Sequence, residues 1–122
     1  MDKVFRALAG LIGLLFVIMG VRWVIDPAGA AGAIGLPVLE GLALSSQIGD
    51  LGAFFFAGGA MALFGAWKQK AAWYLAPALL IGTAAVFRIL AALVQDATMA
   101  PQMIIPELVM TGILLMAART AD

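Results

Sequence analysis

The sequence predicts an all-α integral membrane four-helix bundle, with a short interfacial helix between helices one and two. Three observations carry this. Of the 122 residues, 65% are hydrophobic and 11% charged, where a soluble domain carries about 25% charged residues. The mean hydropathy is +1.10. Four stretches approach the roughly 20 apolar residues that a helix needs to cross a bilayer. They run from about 4 to 25, 46 to 67, 71 to 94 and 101 to 118 within a single domain covering 1–122.

Each span has its punctuation. The first, "ALAGLIGLLFVIMGV" after "MDKVFR", is longer than the 7–15 residues typical of a signal-peptide core and reads as a transmembrane helix. Asp26-Pro27 ends it, because a residue before proline resists the helical region. Then "PAGAAGAIGLPVLEGLAL" is long for a loop. Asp26 as N-cap and Pro27 as first residue would start a short helix stopping near Gly35; an irregular loop, or a lid formed by residues 27–44, are the alternatives. Lys68-Gln69-Lys70 is a tight polar turn between spans two and three. Pro101 suits the first turn of span four, whereas Pro106 falls inside it and deprives the Gln102 carbonyl of its usual donor.

The distribution of cations orients the bundle. Lys3, Arg6, Lys68, Lys70 and Arg119 fall on one side of a four-span chain, and Arg22, Asp26, Glu40 and Asp96 on the other. Cytoplasmic loops are enriched in Lys and Arg, so both termini are expected in the cytoplasm.

Orientation brings three scattered charges to one depth. Asp50 lies near the start of span two, Arg88 near the end of span three and Glu107 near the start of span four, all one to two turns below the outer boundary. An isolated Arg or Asp at a helix centre costs about 2.5–3.5 kcal/mol on insertion scales, so the three are expected to face one another, with Arg88 bridging Asp50 and Glu107. Arg22 is the nearest further cation. Gln47, Gln95, Gln102, Ser45 and Ser46 crowd the same end. The candidate ligand-binding set is therefore Arg88, Asp50, Glu107, Gln47, Gln102 and Arg22. Two readings stand beside each other: a buried ion cluster that fixes helix register, and a functional site of the kind intramembrane charges mark.

Other classes fall away. The net charge is zero, which removes the basic surface a nucleic-acid binder needs. Cys and His are both absent, so the chain offers no disulfide and no Cys/His-ligated zinc or haem; no metal site and no resident cofactor are expected. Small-residue rows (Gly49, Ala53 and Ala57; Gly58, Ala62 and Ala66; Ala78 and Gly82) let helices approach closely, inside the chain or in an oligomer. Phe54–Phe56 read as aromatic core or lipid contact, with an apolar ligand pocket as the alternative. Trp23, Trp67, Trp73 and Tyr74 read as an interfacial belt.

The segments "GLP", "SSQIGDLGAFFFAGGAMAL", "FRILAALVQDATMAP" and "PELVMTGILLMAAR" together resemble small bacterial four-helix membrane proteins of the DoxX-like superfamily, in an uncharacterised branch of it. The resemblance rests on Arg88 with the following Asp96, and on Glu107 at the head of the last helix. Where other members place an arginine near the start of helix two, this chain has Asp50. Better-known DoxX relatives imply an accessory subunit of a membrane oxidoreductase, in the bacterial inner membrane. The expected function is a binding or accessory subunit holding a lipid-like or quinone-like molecule, or a partner segment. A cofactor-independent isomerase, cyclase or hydratase, with Asp50 and Glu107 as acid and base and Arg88 tuning them, is the first alternative; a small oligomeric transporter is the second. Expected partners are membrane lipids, an apolar small molecule, and further copies or a larger membrane complex.

Overall fold

The computed structural model describes residues 2–121 and is built from helices, with no strand among the described residues. Helix α1 spans Asp2–Ile25, α2 Pro27–Ala33 and α3 Gly41–Ser46. A π-helical turn over Gln47–Gly52 joins α3 to α4, Ala53–Lys68. Helices α5, Ala71–Gln95, and α6, Pro101–Thr120, complete the chain. Helix α3, the π turn and α4 form one continuous rod, Gly41–Lys68. Among the described residues that rod, α1, α5 and α6 are the four helices long and apolar enough to cross a membrane, and the chain is a multi-pass membrane protein. Their apolar residues lie on all sides, as in helices that meet lipid on one face and protein on the other. Leu14, Ile18, Leu79, Leu93 and Val109 are all exposed.

Local chemistry sets the helix ends. The Asp26 side chain accepts a hydrogen bond from the Gly29 N–H at 3.2 Å, capping α2, whose first residue is Pro27. Gly35 takes a left-handed φ of 78° just beyond α2, the conformation that ends helices without a Cβ penalty. The short helix anticipated between spans one and two therefore exists. Gln69 (φ 51°) ends α4 and Asp96 (φ 56°) ends α5, both left-handed. The rod begins at Gly41 rather than near residue 46, because "GLALSS" continues its helix outward. Proline inside a helix occurs twice, at Pro106 in α6 and at a buried Pro77 in α5. The latter lies in an unbroken apolar run and interrupts neither the helix nor its burial.

Consecutive spans run antiparallel and close into a ring, with α1 against α4, α4 against α5, α5 against α6 and α6 back against α1. Without a hydrophobic drive in lipid, close packing holds such a ring. The α1–α4 seam is the tightest. A Cβ on Gly13 would lie 2.8 Å from the Gly59 carbonyl oxygen, one on Gly59 2.5 Å from the Gly13 oxygen, and one on Gly20 2.7 Å from the Phe56 backbone nitrogen. The row Gly58, Ala62, Ala66 faces inward, whereas Gly49, Ala53 and Ala57 are exposed. The ring axis is filled by small residues, Ala9, Ala62, Ala78 and Ala117, with Ile81, Leu114 and Tyr74.

Two aromatic residues depart from the interfacial belt. Trp67 and Trp73 are exposed at one end as expected, but Trp23 and Tyr74 are fully buried. Tyr74 lies over Gly65, where a Cβ would come within 2.7 Å of its ring, and its hydroxyl donates to the Gln69 Oε1 at 2.6 Å. Trp23 is enclosed by Ala30 and Ala31 of α2, because that short helix folds back over the end of α1.

Candidate functional site

Arg88 lies on α5 and Glu107 on α6, facing one another across the α5–α6 seam. The Arg88 Nε donates to Glu107 Oε1 at 2.9 Å and to Oε2 at 3.2 Å. The side chains are 35% and 14% exposed. Sequence depth thus pairs these two residues correctly. Pairing is what apolar surroundings require, since an ionised group without a partner there is expensive.

The pair borders a cavity of about 340 Å³. Its walls are mostly apolar and come from every span: Phe16 from α1, Phe54 and Phe55 from α4, Ile81 from α5, Met103 and Met110 from α6. Ile34, just past the end of α2, and Leu51, in the π turn, complete that side. The polar wall is Arg88, Glu107 and Gln102. The volume lies at the lower end of the range for small-molecule sites, about 300–1,000 Å³. Phe54 and Phe55 meet edge to face with ring centroids 5.2 Å apart, and Phe16 stands 5.0 Å from Phe55. The aromatic run is thus both core and cavity wall.

Hydrogen-bond capacity defines the chemistry. A guanidinium carries five N–H donors. The Glu107 carboxylate engages Nε, and among the described residues neither terminal nitrogen of Arg88 has a partner. The Gln102 side chain has none either. Pro106, also in the wall, has no N–H to give the Gln102 carbonyl. The cavity is therefore lined at one wall by residues with unused donors and by aromatic and thioether side chains elsewhere. Thr111, one turn past Glu107, returns its hydroxyl to the Glu107 carbonyl at 2.8 Å.

The remaining predicted members lie elsewhere. Asp50 is exposed on the π turn, outside the cavity lining, and makes no ion pair among the described residues. The expected bridge from Arg88 to both acids reduces to a pair with Glu107. The physical reason is local. A π turn bonds i to i+5, so each residue advances by a smaller angle than in an α-helix, and Asp50 does not share the inward face of Gln47. Gln47 is buried, but as a clamp on the chain: its Oε1 accepts from the Leu39 N–H and its Nε2 donates to the Pro37 carbonyl, both at 2.9 Å. Arg22 stands 3.7 Å from Asp26, one turn on along the chain, at the α1–α2 corner. With Asp50 outside the cavity, Glu107 is the single carboxylate that lines it among the described residues, which therefore do not form the two-carboxylate acid–base geometry. No cluster of three or more potential metal ligands occurs among the described residues.

The sequence reads Trp23 as part of the interfacial belt and gives no sign of its burial. Its indole Nε1 is buried without a hydrogen-bond partner, behind a wall shared with the cavity through Ile34, Leu51 and Phe55. Burial of a tryptophan beneath a seven-residue helix leaves no signal in periodicity. Comparison of the chain with protein-family models, curated proteins and solved structures gives no match.

Proposed function

We propose that this chain is a small membrane subunit that binds one amphipathic molecule, with an acceptor-bearing head at Arg88 and an apolar body against Phe54, Phe55 and Met110. The observation that carries the reading is the guanidinium whose Nε is fixed by Glu107 while its terminal donors face no protein partner. A fixed cation with spare donors suits a carbonyl or anionic head, as in lipid-like or quinone-like molecules, and disfavours a cationic one. Charge-assisted hydrogen bonds of this type are about twice as strong as neutral ones, and a largely apolar lining with a few placed polar groups is the usual form of small-molecule sites. The DoxX-like sequence pattern agrees with an accessory role in a bacterial inner membrane, both termini cytoplasmic.

Native mass spectrometry after gentle extraction from the source membrane tests this. A retained small molecule that is lost in Arg88→Gln, with the helical fold intact, is the expected result. Equal retention by Arg88→Gln and the parent chain would overturn the assignment.

A further inference from the structure

At the opposite end of the bundle the α1–α4 face carries a second built feature. A groove of about 470 Å³ is lined by Val17 of α1 and by Phe56, Ala60, Leu63, Phe64 and Trp67 of α4. From Phe56 to Trp67 it extends about 16 Å at the helical rise. One leaflet of the hydrocarbon core is about 15 Å deep. The groove therefore reaches from the bilayer midplane to the interface on the Lys68 side, and it ends at a tryptophan.

Two cations contact Trp67, where it ends, one at its carbonyl and one at its ring. The Arg6 Nε donates to the Ala66 carbonyl at 2.6 Å and its Nη2 to the Trp67 carbonyl at 3.4 Å. The Lys68 ammonium sits 4.3 Å from the centroid of the Trp67 ring. Neither cation has a carboxylate partner among the described residues, whose ion pairs are Arg22–Asp26 and Arg88–Glu107. The carbonyls and the ring supply partial negative charge only, so the pair retains its positive charge at headgroup depth.

We infer that this corner is a binding site for one anionic phospholipid, its phosphate between Arg6 and Lys68 and one acyl chain along the groove. Charge complementarity selects the headgroup, and the length and apolar lining select the chain. Basic residues beside interhelical grooves at the interface hold anionic headgroups by this combination. Arg6 supplies fixed donors because the α4 carbonyls orient it; Lys68 supplies a mobile charge.

Trp67 reports occupancy. In a Trp73→Phe background reconstituted in phosphatidylcholine vesicles, where buried Trp23 adds an emission common to every variant compared, phosphatidylglycerol with brominated acyl chains is expected to quench the Trp67 component more than brominated phosphatidylcholine at equal mole fraction. Lys68→Gln is expected to lower that preference about fivefold, the factor for one basic residue at an anionic surface. Lys70→Gln, on the same turn, is expected to leave it unchanged, since the cation recorded on the ring is Lys68. Ala60→Phe, which fills the groove, is expected to abolish it while helicity by circular dichroism is retained. Equal quenching by the two lipids would overturn the site. So would equal losses in Lys68→Gln and Lys70→Gln, which indicate a diffuse surface potential, and so would a preference that survives Ala60→Phe.

Discussion

The α1–α4 and α5–α6 seams solve the same problem in opposite ways. Along α1–α4 the backbones touch: Gly13 and Gly59 leave no room for a methyl group on either side, and among the described residues the ion pairs lie elsewhere. Along α5–α6 the nearest equivalent is Gly82, whose added Cβ would meet the Thr111 Cγ2 at 3.2 Å, a side chain and not a backbone. There the ion pair Arg88–Glu107 does the joining, and the cavity opens beside it. Backbone contact yields rigidity by excluding everything else, whereas a polar pair holds two helices together while leaving space. A site could be housed at the second seam and not at the first.

The contrast can be broken in a graded series. Gly59→Ala should have the largest effect, about 3 kcal/mol, because the intruding methyl group meets the backbone of α1 and the helices must separate, the upper end of overpacking costs. Reversible unfolding in mixed micelles would register it, and a loss under 1 kcal/mol would show the seam to be looser than its distances imply. Glu107→Ala should follow at about 2 kcal/mol, below the 3–5 kcal/mol of a fully buried pair because Arg88 is about one-third exposed. The double variant Arg88→Met/Glu107→Leu should recover most of that loss, since replacing both partners by apolar groups removes the uncompensated charge. Failure of the double variant to recover would mean that the pair contributes more than mutual neutralisation.

Gly82→Ala should cost under about 1 kcal/mol, since Thr111 can give by the few tenths of an ångström required. Adding Thr111→Ser, which removes the contacting methyl group, should relieve it. The smallest effect should carry the opposite sign. Gly112 has nothing within 4 Å of an added Cβ, and alanine there should stabilise α6 by about 0.5 kcal/mol through the lower entropy of its unfolded chain. A destabilising Gly112→Ala would place an unseen neighbour, such as a second copy, against that face.

How far the sequence could be read follows from where the constraint lay. Spans were legible because an apolar run of bilayer length admits few other structures. The Arg88–Glu107 pair was legible because depth follows from topology and an intramembrane charge needs a partner. Asp50 satisfied the same depth argument but failed on azimuth, since the π turn that rotates it outward has no signature in "QIGDLG". The same depth argument places Gln47 at the ligand, whereas its side chain holds Pro37 and Leu39. The cavity itself was illegible, because an empty volume arises from five segments meeting. The run Phe54–Phe56 nevertheless divides cleanly, with Phe54 and Phe55 in the cavity wall and Phe56 in the groove on the other face.

The Arg88–Glu107 pair also has an order in time. The two residues are 19 positions apart, so a ribosome working at about 5–20 residues per second delivers the arginine roughly one to four seconds before the glutamate that neutralises it. During that interval α5 carries its cation unpaired, at a cost below the roughly 2.5–3.5 kcal/mol of a helix centre because Arg88 lies toward the helix end. The ion pair that joins the last two spans can close only once α6 has been made, whereas the α1–α4 seam consists of residues synthesised earlier and needs no charge to join it.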